Sequence, residues 1–298
     1  MNSNKLARII DNELNFRSYP DTIVDILKEL DQKAERRFSR EYLNNISGLM
    51  VSSQGRINDM YVALFPSQDI FDFIEEQDVK DSTLFIKHPL NWEEMGMGFR
   101  SVSQDQYKII RERNIALYCA HAPIDNHSSI SPNIHFANVI GGVITNPLNV
   151  AKRNFGYVVE LKEKISFDEI RNLVVTRTGL DKVQQLYRHD EVRKLGVVSG
   201  GGDSVEVLDI VDQEECDTYV TGILHFRGSQ YARDNNPAFV SSLRKSGLNA
   251  IGAAHYPTEK SSLEPIRKFL HEVTGINTTV IYEENKMLDL KLMWGKEI

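Results

Sequence analysis

Cysteine is nearly absent from this chain: two residues in 298, Cys119 and Cys216, far apart and in no CxxC spacing. That excludes a disulfide framework and a thiolate metal site, and leaves both thiols to be read as small buried apolar residues. Long apolar runs are also missing. No stretch approaches the roughly 18 residues that span a bilayer, and charges interrupt the N-terminal segment where a signal peptide would have its apolar run. We therefore expect a cytoplasmic chain with no membrane partner. An excess of positive charge is lacking too: 35 Lys and Arg stand against 42 Asp and Glu, for a net charge of −7. Nucleic-acid binding draws on clustered Lys and Arg to displace counterions, so a surface built mainly for phosphodiester backbone is disfavoured. No short repeat of the solenoid kind is visible.

What is present is ordinary globular composition, 41% hydrophobic and 26% charged, in a chain long enough for two compact α/β domains or one large one. Asp21, just after Pro20, starts a helix through Ile23, Ile26, Leu27, Leu30 and Ala34, which share one face at the 3.6-residue period. Tyr61 to Phe65 reads as a strand, Asp69 to Glu76 as a helix, Leu84 to Ile86 as a second strand, Tyr107 to Arg113 as a helix and Ile115 to Cys119 as a third strand. Such alternation predicts crossover connections and a largely parallel sheet covered on both faces. From Pro147 to about Leu195 the pattern is less regular and reads as connections, apart from a helix opening at Ser166, where Ser166 and Glu169 have capping-box spacing and Ile170, Leu173 and Val174 point inward. Order resumes with Leu195 to Ser199, a helix through Val205, Val207 and Leu208, and strands at Thr218 to Thr221 and Leu248 to Ala254. A helix near Ser262 to Val273 and a strand at Thr278 to Tyr282 follow.

Three segments put imidazole or carboxylate groups at the C-terminal ends of these strands, where parallel α/β folds place ligands. Pro89 stops the first strand just after His88. Pro123 bends the second segment so that His121 and Asp125 can face one pocket. In the third, His255 and Glu259 share a face if the chain turns into a helix there. Each piece alone has a plainer reading, a hydrogen-bonded strand-end His or an exposed i,i+4 pair; it is their number that points to chemistry. Nitrogen and carboxylate donors without thiolate suit Zn, Fe, Mn, Co or Ni. A carboxylate such as Glu259 or Asp125 could bridge two ions about 3.5 to 4 Å apart. Gly200 to Asp203 could cradle phosphate with backbone N–H groups or be a tight turn. His225 and Arg227 are anion contacts or a surface loop, and Trp92 to Phe99 is a cover, a subunit contact or plain loop packing.

These residues, with Asn45 to Met50, Lys87 to Leu90, His121 to Asp125, Gly200 to Asp203, Thr221-Gly222 and His255 to Glu259 in that order and spacing, resemble the Nif-three-like family over most of the chain. Its members are also called GTP cyclohydrolase I type two homologues. The resemblance implies two related α/β domains, 1–125 with 255–298 and 126–254, and a dinuclear metal centre in the cleft between them. It implies one or two divalent ions held by His88, Asp125, His255 and Glu259, and assembly as a homohexamer, a trimer of dimers. Two departures stand out. Many members have a histidine where Lys87 stands, and an ammonium cannot ligate and repels a divalent ion, so the second metal would be weak or missing; alternatively Lys87 is deprotonated or binds an anionic substrate. Ala122-Pro123-Ile124 replaces a common Thr-Asn-Leu, which makes His121 a group that orients a ligand or touches substrate. The function implied is a metal-dependent hydrolase acting on a small polar or nucleotide-derived molecule, with Glu259, His121 and Lys87 serving the chemistry. Its rivals are a non-enzymatic metal-binding or metal-delivery module and an oligomeric adaptor.

Overall fold

The computed structural model describes residues 1–19, 21, 27, 34–45, 47–91, 100–225 and 230–283, with the backbone alone at 230–233. Most of the helix expected from Asp21 to Ala34, the segment Trp92 to Phe99, and Arg227 lie outside these residues. The chain divides into two compact units. The first takes the described residues up to Asn91, Arg100 to Ile130 and Leu263 to Glu283; the second takes those from Ser131 to Ser262.

In the first unit, β1 (Ser47–Val51), β2 (Asp59–Ala63), β3 (Thr83–Ile86), β6 (Ala116–Ala120) and β13 (Asn277–Val280) form a sheet in the order β1-β6-β3-β2-β13. Four neighbouring strands, β6, β3, β2 and β13, run parallel, and β1 closes one edge antiparallel to β6. Every residue of β3 and β6 is buried, as expected for strands covered on both faces, and this is why their sequences, Thr83 apart, are apolar runs. The helix Gln68–Glu76 carries the chain from β2 to β3 and buries Ile70, Phe71 and Ile74; each such side chain contributes about 1.5–3 kcal/mol on burial. The helix Gln104–Glu112 leads to β6. It begins earlier than the apolar pattern indicates because Ser103 and Gln106 form a reciprocal capping box, so polar groups set its start. The helix Ser3–Leu14, with Leu6, Ile10 and Leu14 buried, is capped by Asn2 and ends where Asn15 turns left-handed. β4 (Leu90–Asn91) pairs antiparallel with β5 (Arg100–Ser101).

The second unit has six strands, β7 (Val143–Val150), β8 (Arg153–Ser166), β9 (Gln184–Leu186), β10 (Glu191–Val198), β11 (Thr218–Thr221) and β12 (Asn249–Gly252), in the order β7-β8-β10-β11-β12-β9. The inner three are parallel and the flanking pairs antiparallel. The expectation that 147–195 is mostly connection is corrected here: it holds the long β7–β8 hairpin, β9 and the start of β10. Most side chains of β7 are exposed, and Lys162, Glu163 and Lys164 of β8 point to solvent. The ladder, not an apolar stripe, makes these residues strand, so no hydrophobic period marks them. Pro147 fits because β7 is an edge, where a missing N–H costs the sheet little. The helix Phe167–Thr178 opens with the Ser166–Glu169 capping box. It buries Phe167, Ile170 and Val174, while Leu173 is only half-buried.

Both cysteines are free and buried, and burial pushes the Cys216 thiol up to about 12. Among the described residues no helix is long and apolar enough to cross a membrane.

Candidate functional site

In the first unit the ladder between β2 and β3 continues past the strand ends: Lys87 N–H donates to Ala63 O, and His88 N–H donates to Leu64 O at 2.8 Å. This fixes the backbone that carries both side chains, and both are buried. The His88 imidazole stacks on Phe65, with ring centroids 4.4 Å apart and planes 9° from parallel. Phe65 is itself anchored, because its N–H and the Ser67 hydroxyl both donate to Oε1 of buried Glu283. Lys87, 1% exposed, places its ammonium 2.9 Å from Asp125 Oδ1 and 3.3 Å from His88 Nε2.

At the end of β6 the chain breaks at His121 and enters the single turn Ala122–Asp125, with Pro123 near its start. The i,i+4 relation then brings His121 Nε2 to 3.8 Å from Asp125 Oδ2. The ring centroids of His121 and His88 are 4.9 Å apart. His121 Nδ1 bonds to the carboxylate of buried Asp21. Burial disfavours the imidazolium and Lys87 opposes it, but the Asp21 carboxylate, helped by Asp125, holds the His121 pKa above its ordinary value. The sequence marks Asp21 as a helix cap; no local pattern pairs it with a residue 100 positions away.

In the second unit, β12 ends at Gly252 and Ala254 adopts φ 60°, ψ 158° before the short helix His255–Glu259. A left-handed alanine is strained. The Thr258 hydroxyl spans this turn: it donates toward Ala254 O and His255 O and accepts from Gly200 N–H at 2.9 Å. One helical turn apart, His255 Nε2 and Glu259 Oε1 lie 3.2 Å from each other, and both residues are buried.

The glycine-rich turn lies against this pair. Gly200 has φ +68°, and a Cβ there would stand 2.4 Å from Glu259 Oε1 and 2.7 Å from His255 Nε2. A Cβ on Gly222 would meet Gly200 O at 2.3 Å. Glycine is therefore required at 200 to leave space beside the imidazole and carboxylate, and at 222 to let the backbone approach. Asp203 accepts from Asn236 Nδ2, and Asn236 Oδ1 in turn meets His225 Nδ1 at 3.1 Å. Burial raises the Asp203 pKa, with the Asn236 bond pulling it down. His225 is thus built into the protein's own hydrogen bonds, its backbone N–H and C=O also held by Gln184.

The donor set fits a divalent ion. Within the second unit, His255 and Glu259 offer a buried imidazole nitrogen and a carboxylate oxygen of the kind that holds such an ion, and within the first unit His88 is buried as well. Imidazole nitrogen and carboxylate oxygen bind such ions at about 2.0–2.2 Å, and the space that Gly200 leaves at His255 and Glu259 is what a Cβ would otherwise fill.

A sequence model of Duf34/NIF3 (NGG1p interacting factor 3) matches residues 22–286. A relative named GTP cyclohydrolase 1 type 2 homolog from Haemophilus influenzae is 22% identical over 254 residues, covering 84% of this chain and 94% of the relative. A relative of the same name from Pyrococcus abyssi is 22% identical over 285 residues, covering 94% and 98%. Among solved structures, the protein ybgI, described as of unknown function, superposes with a TM-score of 0.71 at 19% identity over 96% of this chain and 99% of its own.

Proposed function

Because the chain belongs to the Duf34/NIF3 family, we propose that it binds divalent metal, with His88, Asp125, His255 and Glu259 as the ligands, and acts as a metal-dependent hydrolase. The observation that carries this reading is the buried His255–Glu259 pair, its two donor atoms 3.2 Å apart beside a glycine that leaves room next to both. A bound ion supplies Lewis acidity, polarising a carbonyl or phosphoryl oxygen and acidifying water.

The chain's own groups do the rest. His255 and Glu259, fixed by one helical turn, orient the ligand atoms, and their burial keeps bulk water away. His121 keeps a proton at Nδ1 toward Asp21 and presents Nε2 toward Asp125, which suits it to hand a proton to or from a bound substrate. Lys87 fixes the Asp125 carboxylate. A small polar or nucleotide-derived substrate is supported by the cyclohydrolase-type name that the relatives carry. The working form is a cytoplasmic homohexamer, which a solution mass measurement checks.

The test is metal analysis of protein purified without added salts, alongside mass-spectrometric assay of nucleotide hydrolysis. Wild-type protein is expected to carry metal and turn over a nucleotide, and Glu259→Gln to lose at least about tenfold of the metal affinity. A wild-type chain that takes up none of Zn, Fe, Mn, Co or Ni would overturn the reading.

A further inference from the structure

Lys87 stands out because a fully buried ammonium is rare unless it is paired. Its Nζ lies 2.9 Å from Asp125 Oδ1 and 3.3 Å from His88 Nε2. Both atoms belong to residues that the metal-binding reading above takes as ligands, and a cation belonging to the chain already faces both. We propose that Lys87 is a resident cation in place of a metal, so that the chain holds one divalent ion, on His255 and Glu259, and not two. This rests on the metal-binding reading above and revises its ligand set: His255 and Glu259 keep their place, and His88 and Asp125 serve Lys87 in place of a second ion.

Simple chemistry makes the choice exclusive. A neutral imidazole has one nitrogen with a lone pair. If His88 Nε2 accepts from the Lys87 ammonium it cannot ligate, and if it ligates it gives up that bond. Asp125 Oδ1 is held by an ion pair in a buried setting, and removing either partner from such a pair is strongly destabilising. A divalent ion arriving at the same atoms would also meet a positive charge a few ångströms away in a medium that screens poorly. The lysine is no flexible surface chain that could swing aside. It is 1% exposed, its backbone N–H is tied to Ala63 O, and its carbonyl accepts from the Cys119 thiol. Burial and the ion pair with Asp125, on an anchored backbone, hold the ammonium in this place, so the effect should appear as a fixed stoichiometry, not as a graded affinity.

The experiment counts ions. Wild-type protein, Lys87→His and Lys87→Arg are stripped with chelator, checked for folding by circular dichroism, titrated with Zn and with Mn in a calorimeter, and assayed for bound metal after desalting. The inference expects about one ion per chain for wild type and for Lys87→Arg, and about two for Lys87→His, which exchanges the ammonium for a third donor. Should Lys87→His fail to fold, Lys87→Met, which removes the charge at similar volume, is expected to show a second binding event that wild type lacks. Two ions in the wild type would overturn the inference while leaving metal binding intact. One ion in a folded Lys87→His would do the same. No ion in any of the proteins would overturn the metal-binding reading together with the inference.

Discussion

The ammonium of Lys87 and the carboxylate of Asp125 meet at 2.9 Å, with 1% of the lysine side chain and 18% of the aspartate side chain exposed. The two residues belong to different strand ends, one after β3 and one in the turn after β6. The contact therefore pins the two chain segments to each other as well as balancing a buried charge.

Asp125→Ala should strand that ammonium. A buried charge that loses its partner costs about 3–5 kcal/mol, and the unfolding midpoint in urea should fall accordingly. The double variant with Lys87→Met should recover most of the loss, since it removes the uncompensated charge. A single variant as stable as wild type would show that the pair does not hold the strand ends.

Gly200→Ala places a methyl group 2.4 Å from one donor atom and 2.7 Å from the other, at φ +68°. The left-handed backbone alone costs about 1–2 kcal/mol with a Cβ. We expect a lower melting temperature and loss of measurable Zn binding by calorimetry; unchanged Zn affinity would place the ion elsewhere.

Thr258→Val removes the hydroxyl that accepts from Gly200 N–H in a fully buried position. An unmet buried donor costs about 1–3 kcal/mol, and groups that orient ligands alter metal affinity by about 10–100-fold. Both effects should appear in one set of titrations and melts, and Thr258→Ser should restore most of each.

Asp11 offers a pH test independent of any metal. Burial raises its pKa, the Tyr118 hydroxyl at 2.6 Å lowers it, Glu41 raises it and Arg17 lowers it, and the net shift is upward. An aspartate with a raised folded pKa costs stability once pH has risen through that value, and costs nothing below the unfolded-state pKa, where both states are protonated. Asp11→Asn keeps an acceptor for Tyr118 and should be the more stable protein at neutral pH. The gap should close as pH falls below about 4. A gap independent of pH between 3 and 7 would assign the effect to packing instead.

How much of this was readable beforehand depends on the kind of force involved. Ala116 to Ala120 and Leu84 to Ile86 are legible because strands buried on both faces read as near-continuous apolar runs. The helix at Ser166 is legible because its capping box lies within four residues. The β7–β8 hairpin is hidden because a ladder at a sheet edge is built from backbone groups every sequence has. At the site, Pro89 and Pro123 mark where His88 and Asp125 leave their strands. The sequence around Gly200 suits a phosphate cradle and a tight turn equally; its contact with His255 and Glu259 is set 55 or more positions downstream and leaves no local trace. The bonds from Lys87 to Asp125 and from His121 to Asp21 are hidden for the same reason.

Glu283 gives the order of synthesis a physical meaning. The ring that supports His88 is tethered through Phe65 to a carboxylate 218 residues further on, and β13, which closes the sheet beside β2, comes from the same late stretch. On the ribosome, the first unit has its inner strands long before it has its edge and its anchor. It must wait, incomplete, while the whole of the second unit is translated, so a chaperone that shields β2 in nascent chains would matter more here than for a protein whose domains are contiguous.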